Sequence, residues 1–258
     1  MWSPFWRNPL TVNFEIIIAE NNSEEEETFQ YYEYLKKTYP CVKVCVWKGE
    51  FNFSAINNFA AGYASGEYFL LLNNDIEVIS PSWLEEMLGY CQRPDVGIVG
   101  AKLYYPDDTI QHAGVVIGMG GIAGHILCRA NGNEAGYNGR LVTVQDMSAV
   151  TAACMIVKKE IFDAVGGLSE DLQVAFNDID FCIKVRDYGK LVVYNPYAEL
   201  YHYESKSRGL EDTPEKIARF NKEIATLEQH WPDIFRKPDP YYNPKSDSGQ
   251  PGLLSERL

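Results

Sequence analysis

The stretch Glu67-Tyr68-Phe69-Leu70-Leu71-Leu72-Asn73-Asn74-Asp75 constrains this chain more than any other. Tyr68 to Leu72 is an apolar run with no polar break. Bounded by turn residues, it reads as a strand buried on both faces inside a parallel sheet. It stops abruptly in two amides and a carboxylate. Ligands of open α/β sheets sit beyond the carboxyl ends of the strands. Asp75 therefore puts a negative charge where such a fold binds things. Two readings are open here. A divalent metal would take this carboxylate together with substrate phosphate oxygens, or the Asn-Asn-Asp sequence simply turns the chain.

Around this strand the pattern alternates. Strands are predicted at 14–19 and 42–47. Helices are predicted from a cap at Ser23, over 53–64, and from a cap at Ser80 with Pro81 at the first helical position. Strand and helix repeating this way argue for a parallel sheet with helices on its faces. After Val96 the rhythm changes. Strands are predicted at 97–105, 111–117, 141–145 and 150–157, with a Gly/Asn-rich mobile loop over 118–139. A short helix over 158–165 and a longer one over 178–188 follow. Short strands at 191–194 and 198–203 precede a last helix that opens at Thr213-Pro214. From Pro238 the composition predicts a loose tail.

Composition narrows the function. The net charge is -13, with 36 acidic against 23 basic residues, which argues against a nucleic-acid partner and gives no patch for an anionic membrane. The six cysteines form no CxxC pair and no Cys/His zinc spacing, so they read as buried free thiols of a reducing compartment. The first ten residues hold no signal-peptide core, and no apolar run approaches the roughly 18 residues of a membrane span. Gly118-Met119-Gly120-Gly121-Ile122-Ala123 fits a dinucleotide fingerprint, but that site needs a helix directly after it. The following residues, broken by Asn131, Gly132, Asn133 and Gly136, do not provide one.

Two more polar clusters carry chemistry. Asn177-Asp178-Ile179-Asp180 begins a helix, where free N–H groups and the dipole favour a carboxylate anion. Asp is also a common helix-start residue with no further role. In Tyr201-His202-Tyr203-Glu204-Ser205-Lys206-Ser207-Arg208-Gly209, hydroxyls and cations are packed as a diphosphate would require. His202 by itself reads equally as a half-buried strand histidine.

Taken in order, Glu20-Asn21-Asn22-Ser23, Asn73-Asn74-Asp75, Gly166-Gly167-Leu168-Ser169-Glu170, Asn177-Asp178-Ile179-Asp180-Phe181-Cys182 and His202-Tyr203-Glu204-Ser205 resemble the motifs of family 2 glycosyltransferases. Segments 51–58 and 83–116 look most like bacterial members that build cell-surface polysaccharide, such as rhamnosyltransferases. The resemblance covers roughly residues 13–243. It implies a GT-A fold, α/β with a mostly parallel central sheet flanked by helices. The domain would span 13–237, with a nucleotide-binding half at 13–95 and an acceptor and catalytic half at 96–237. Residues 1–12 and 238–258 would lie outside it. The implied activity is inverting, metal-dependent transfer of a sugar from a nucleotide-diphosphate donor to a glycan acceptor. The donor would be dTDP-rhamnose or a UDP-sugar, and the acceptor a free or lipid-linked glycan. The implied location is cytoplasmic, including the inner face of the membrane.

The resemblance also assigns roles. Asn73-Asn74-Asp75 matches the DxD motif, with Asn73 in place of the first acid. Asp75 would hold Mg²⁺ or Mn²⁺, and affinity should be modest with one charge fewer. Asp178 matches the catalytic base, and His202 a histidine that completes metal or diphosphate binding. Glu20 and Asn58 match positions near the nucleoside; Asn73, Asn74, Ser205 and Arg208 fall on the donor side.

Members of this family begin with a strand and helix ahead of the one at 14–19, a unit that the segment 1–13 cannot supply. That strand lies between the strands at 14–19 and 68–72. Without it, two edges expose N–H and C=O groups, each costing about 1–3 kcal/mol when buried unpaired. The expected outcomes are direct pairing of the two strands or capping by another chain, with self-association and weak donor binding. Two rival functions follow: a truncated, inactive relative that binds a partner, and a metal-dependent phosphoester hydrolase using Asp75 and His202.

Overall fold

The computed structural model describes residues 13–203 and 213–242. The chain opens with β1 (Ile16–Glu20), α1 (Glu26–Thr38), β2 (Val42–Val46), α2 (Phe53–Ala61) and β3 (Tyr68–Leu72). β4 (Ile76–Val78), α3 (Trp83–Cys91) and β5 (Val96–Tyr104) follow. Four short strands come next: β6 (Ile110–His112), β7 (Val115–Ile117), β8 (Ala123–His125) and β9 (Gln145–Asp146). The remainder is β10 (Cys154–Lys158), α4 (Lys159–Ala164), α5 (Asn177–Asp187), β11 (Leu191–His202) and α6 (Pro214–His230).

The principal sheet has seven strands, with the path β3-β10-β5-β11-β4 and with β6 and β9 attached to β5 and β11. β5 is its centre, and all nine of its residues are buried. The fold is α/β as expected, but the sheet is mixed rather than mostly parallel. β5 and β11 run parallel, whereas β3–β10, β10–β5 and β11–β4 are antiparallel. β10 returns between β3 and β5 antiparallel to both, and β11, reached through α4 and α5, runs parallel to β5.

β3, expected to be buried on both faces inside a parallel sheet, is an edge strand whose residues alternate between half-buried and buried. β1 and β2 form a parallel two-stranded sheet of their own. Among the described residues β1 and β3 do not pair, so the expected closure of the gap between them is not seen.

The principal sheet is covered on both faces. Trp83, Met87 and Cys91 of α3 pack with Val96, Val99, Ile156 and Leu200 on one side. Phe181, Cys182 and Val185 of α5 pack with Ile98, Val157 and Phe162 on the other. Burying a side chain such as Phe181, fully enclosed here, contributes about 1.5–3 kcal/mol. Gly97 permits this approach, because a Cβ there would stand 2.4 Å from Val185 Cγ1.

Other local differences have plain causes. Ser23 does not cap α1; it donates to Glu20, and the helix starts at Glu26. The two short strands expected after 191 are one strand, β11, kept continuous through a register shift between Asn195 and Glu199. The 118–139 loop is ordered around Ile126 and Leu127, both buried. As expected, the dinucleotide-like glycines lead into β8 rather than a phosphate-binding helix N-terminus. Residues 239–242 are docked rather than loose: Asp239 accepts from the N–H of Ile117, and Arg140 donates to the carbonyl of Tyr241.

Candidate active site

Asp75 and His202 lie far apart in sequence and are joined by strand pairing. β4 starts directly after Asp75 and runs antiparallel to the end of β11, setting Ile76 opposite His202. The N–H of Tyr203 closes the pairing onto the carbonyl of Asp75. His202 Nε2 then stands 3.2 Å from Asp75 Oδ1 and 3.2 Å from Asn73 Nδ2. Both side chains are mostly buried, at 11% and 25% exposure, so the pair is shielded from water but reachable. His202 Nδ1 lies 2.7 Å from Gln111 Oε1, which can only accept, so Nδ1 carries a proton. Nε2 is thereby turned toward a carboxylate oxygen. Nε2 accepts from Asn73 Nδ2, and a divalent cation seated between Nε2 and the carboxylate would suit both.

These residues fit a metal held jointly with a ligand. Asp75 and His202 supply one oxygen and one nitrogen, and Gln111 orients the imidazole from behind. No group of three His, Cys, Asp or Glu side chains suited to a metal occurs among the described residues. The remaining positions of an ion would fall to diphosphate oxygens and water.

Asp178 reaches the same region by a different route. Phe176 sits in the left-handed conformation, φ 61°, immediately before α5, and the first helical turn then presents Asp178. Its Oδ2 accepts from the N–H of Ala152 at 3.2 Å. The neighbouring Ala153 carbonyl accepts from the N–H of Asn73, and the N–H of Thr151 approaches His112 Nε2 at 3.4 Å. The turn 151–153 thus ties the end of β3, the start of α5 and His112 into one unit. Asp75, Asp178 and His202, expected from the sequence, adjoin Gln111, His112 and His125, which the sequence does not mark. His112 is fully enclosed, and its Nδ1 lies 3.0 Å from His125 Nδ1. Burial, with His125 and His202 alongside, pushes its pKa well below the ordinary histidine value.

The residues expected near the nucleoside have their own fixed surroundings. Glu20 is buried and accepts from the N–H and hydroxyl of Ser23 and the hydroxyl of Tyr32. Burial opposes its ionisation, but these donors outweigh burial and hold the carboxyl below its ordinary value. Asn58 exchanges both amide bonds with the backbone of Leu168 and also donates to Glu170, so it clamps α2 to the segment before α5. Asn74 is exposed at the turn beside Asp75. Ser205 and Arg208 lie outside the described residues.

Carboxylates thus stand at the end of β3 and the start of α5, with a histidine at the end of β11. The sequence profile described as "Glycosyl transferase family 2" matches residues 10–166, more than half of the chain. The chain belongs to glycosyl transferase family 2.

It is 53% identical over 233 residues to "Uncharacterized protein y4gI" of Sinorhizobium fredii, covering 90% of this chain and 26% of that protein. It is 41% identical over 233 residues to "O-antigen biosynthesis protein RfbC" of Myxococcus xanthus, covering 90% of this chain and 18% of that one. The chain therefore spans about a quarter or less of these relatives' length. Among solved structures, GalNAc-T7 with UDP, GalNAc and Mn²⁺ superposes with a TM-score of 0.69 at 16% identity, covering 91% of this chain and 45% of that one. The mannosyltransferase PcManGT from Pyrobaculum calidifontis, with GDP-Man and Mn²⁺, gives 0.56 at 14% identity, covering 83% and 55%. Both show the GT-A fold.

Proposed function

We propose that this domain transfers a sugar from a nucleotide-diphosphate donor to a hydroxyl of a cell-surface glycan, inverting the anomeric centre. The observation that carries the reading is the meeting of Asp75 and His202 next to the turn that also receives Asp178. Asp75 and His202 would hold Mg²⁺ or Mn²⁺, whose charge, when bound, offsets the negative charge that develops on the leaving diphosphate. Asp178 accepts the proton of the acceptor hydroxyl as that oxygen attacks C1. The C1–O bond to the diphosphate breaks on the opposite face, and the nucleoside diphosphate leaves. One attack with one base inverts C1 and needs no carboxylate nucleophile. Ser205 and Arg208 are proposed as further diphosphate contacts. Asn73 holds His202, while Glu20 and Asn58 shape the donor side by fixing the β1–α1 turn and the segment before α5.

The relative named for O-antigen biosynthesis supports a surface-polysaccharide acceptor, and the two neighbours holding Mn²⁺ with UDP or GDP-Man support a metal and a nucleotide sugar. No helix among the described residues is long and apolar enough to cross a membrane. We place the reaction at the cytoplasmic face, where a lipid-linked acceptor would be met.

The test is a panel of UDP-glucose, UDP-galactose, UDP-N-acetylglucosamine, GDP-mannose and dTDP-rhamnose with Mn²⁺, followed by Asp178→Asn on the donor accepted. Turnover should fall by about 10² or more while donor binding stays near wild type. Near-normal turnover would remove Asp178 as the base.

A further inference from the structure

We infer that Glu223, on α6, is a positioning residue for Asp178, an inference that rests on Asp178 being the base. Glu223 is 2% exposed, and its carboxylate accepts from three consecutive backbone N–H groups. Oε1 takes those of Gln173 and Val174, and Oε2 that of Ala175, each at 2.9 Å. Three converging N–H groups on one carboxylate fix the course of that short segment, since losing the acceptor would leave all three unsatisfied.

The next residue is Phe176, whose left-handed backbone is disfavoured for a bulky side chain and persists only where the surroundings hold it. α6 holds it a second time, because the Phe176 ring packs on Phe220 at 5.1 Å between centroids. Asp178 comes two residues later.

α6 also grips the chain beyond the base. Asp180 Oδ1 accepts from Trp231 Nε1 at 2.8 Å and lies 3.0 Å from His230 Nδ1. From the other side, α2 binds the same segment through Ser54 to the Leu172 carbonyl and Phe53 N–H to the Gln173 carbonyl. Asp178 is therefore held between two α6 attachments, and its contact with the N–H of Ala152 depends on both. Misplacing a reacting group by about 1 Å can cost on the order of 10²-fold in rate.

The test is Glu223→Gln, which turns one acceptor oxygen into a donor facing N–H groups. Amide hydrogen exchange should quicken by about tenfold or more at residues 173–175 and also at Ala152, while β5 and α3 keep their protection. With the donor accepted from the panel above, kcat should fall by about tenfold or more, with the donor KM within about twofold. Added to Asp178→Asn, Glu223→Gln should cause no further loss, because both act through one group. Unchanged protection at Ala152, or the same fold-loss in both backgrounds, would overturn the positioning role alone. Normal turnover in Asp178→Asn would overturn the base and this role with it. Should Glu223→Gln fail to fold, Phe220→Leu removes the ring from Phe176 and keeps the carboxylate. It should give the same pattern at smaller size, and its absence counts equally against the inference.

Discussion

Gln111 Oε1 lies 2.7 Å from His202 Nδ1, and this contact decides which imidazole nitrogen faces Asp75. A second bond, from Gln111 Nε2 to the His202 carbonyl at 3.3 Å, locks side chain and backbone together. The nitrogen that would face a metal is therefore set by Gln111, from the opposite side of the ring to Asp75.

Gln111→Leu removes both bonds at similar volume. Mn²⁺ affinity in the presence of UDP should fall about 10- to 100-fold, the usual cost of losing the partner behind a ligating histidine. Calorimetric titration of wild type and variant measures it. Equal affinities would show that His202 is oriented by Asp75 and Asn73 alone.

Much of this site was legible because its carboxylates carry local signs. Asp75 ends an apolar run and Asp178 begins a helix, and both positions follow from neighbours in sequence. Gln111 and Glu223 carry no such sign. Glu223 meets Gln173 across 50 residues, and nothing near it distinguishes it from a solvated helix glutamate. The burial of β3 on both faces was misread for the same reason. Tyr68 to Leu72 is apolar enough for a central strand, but position in a sheet depends on partners, and its one partner among the described residues is β10. Direction was misread with it, since antiparallel pairing with β10 is specified by the later chain course.

His230 links the last turn of α6 to Asp180 and Asp171, at 3.0 Å from each. Burial lowers its pKa, but the two carboxylates outweigh burial, and the net shift is upward from 6.5. A histidine whose folded pKa is raised contributes stability that is fully present below the unfolded value and lost as pH rises through the folded value. His230→Gln should therefore lower the melting temperature most at about pH 6, with the gap narrowing steadily above 6.5. A gap independent of pH would assign the contribution to packing.

The outer edge of β3 makes a separate prediction. The bonds Lys159 N–H to Glu67 carbonyl and Asn73 N–H to Ala153 carbonyl show that odd-numbered residues face β10. Tyr68, Leu70 and Leu72 then point their N–H and C=O groups to the side where no described strand lies. An open edge of this kind templates pairing with another chain. Sedimentation should show self-association at about 100 μM, abolished by Leu70→Pro, which removes one outward N–H without touching the β10 ladder. A wild-type monomer at that concentration would contradict it.

In the proposed reaction Asp75 would bind a nucleotide-sugar diphosphate through a divalent ion. Titration of the accepted donor with Mn²⁺, with EDTA, and against Asp75→Ala tests it most directly. Binding should be modest with Mn²⁺, fall by about tenfold or more on chelation, and show a matching loss of both ion and donor affinity in Asp75→Ala. Donor affinity unchanged by EDTA and by Asp75→Ala would contradict it.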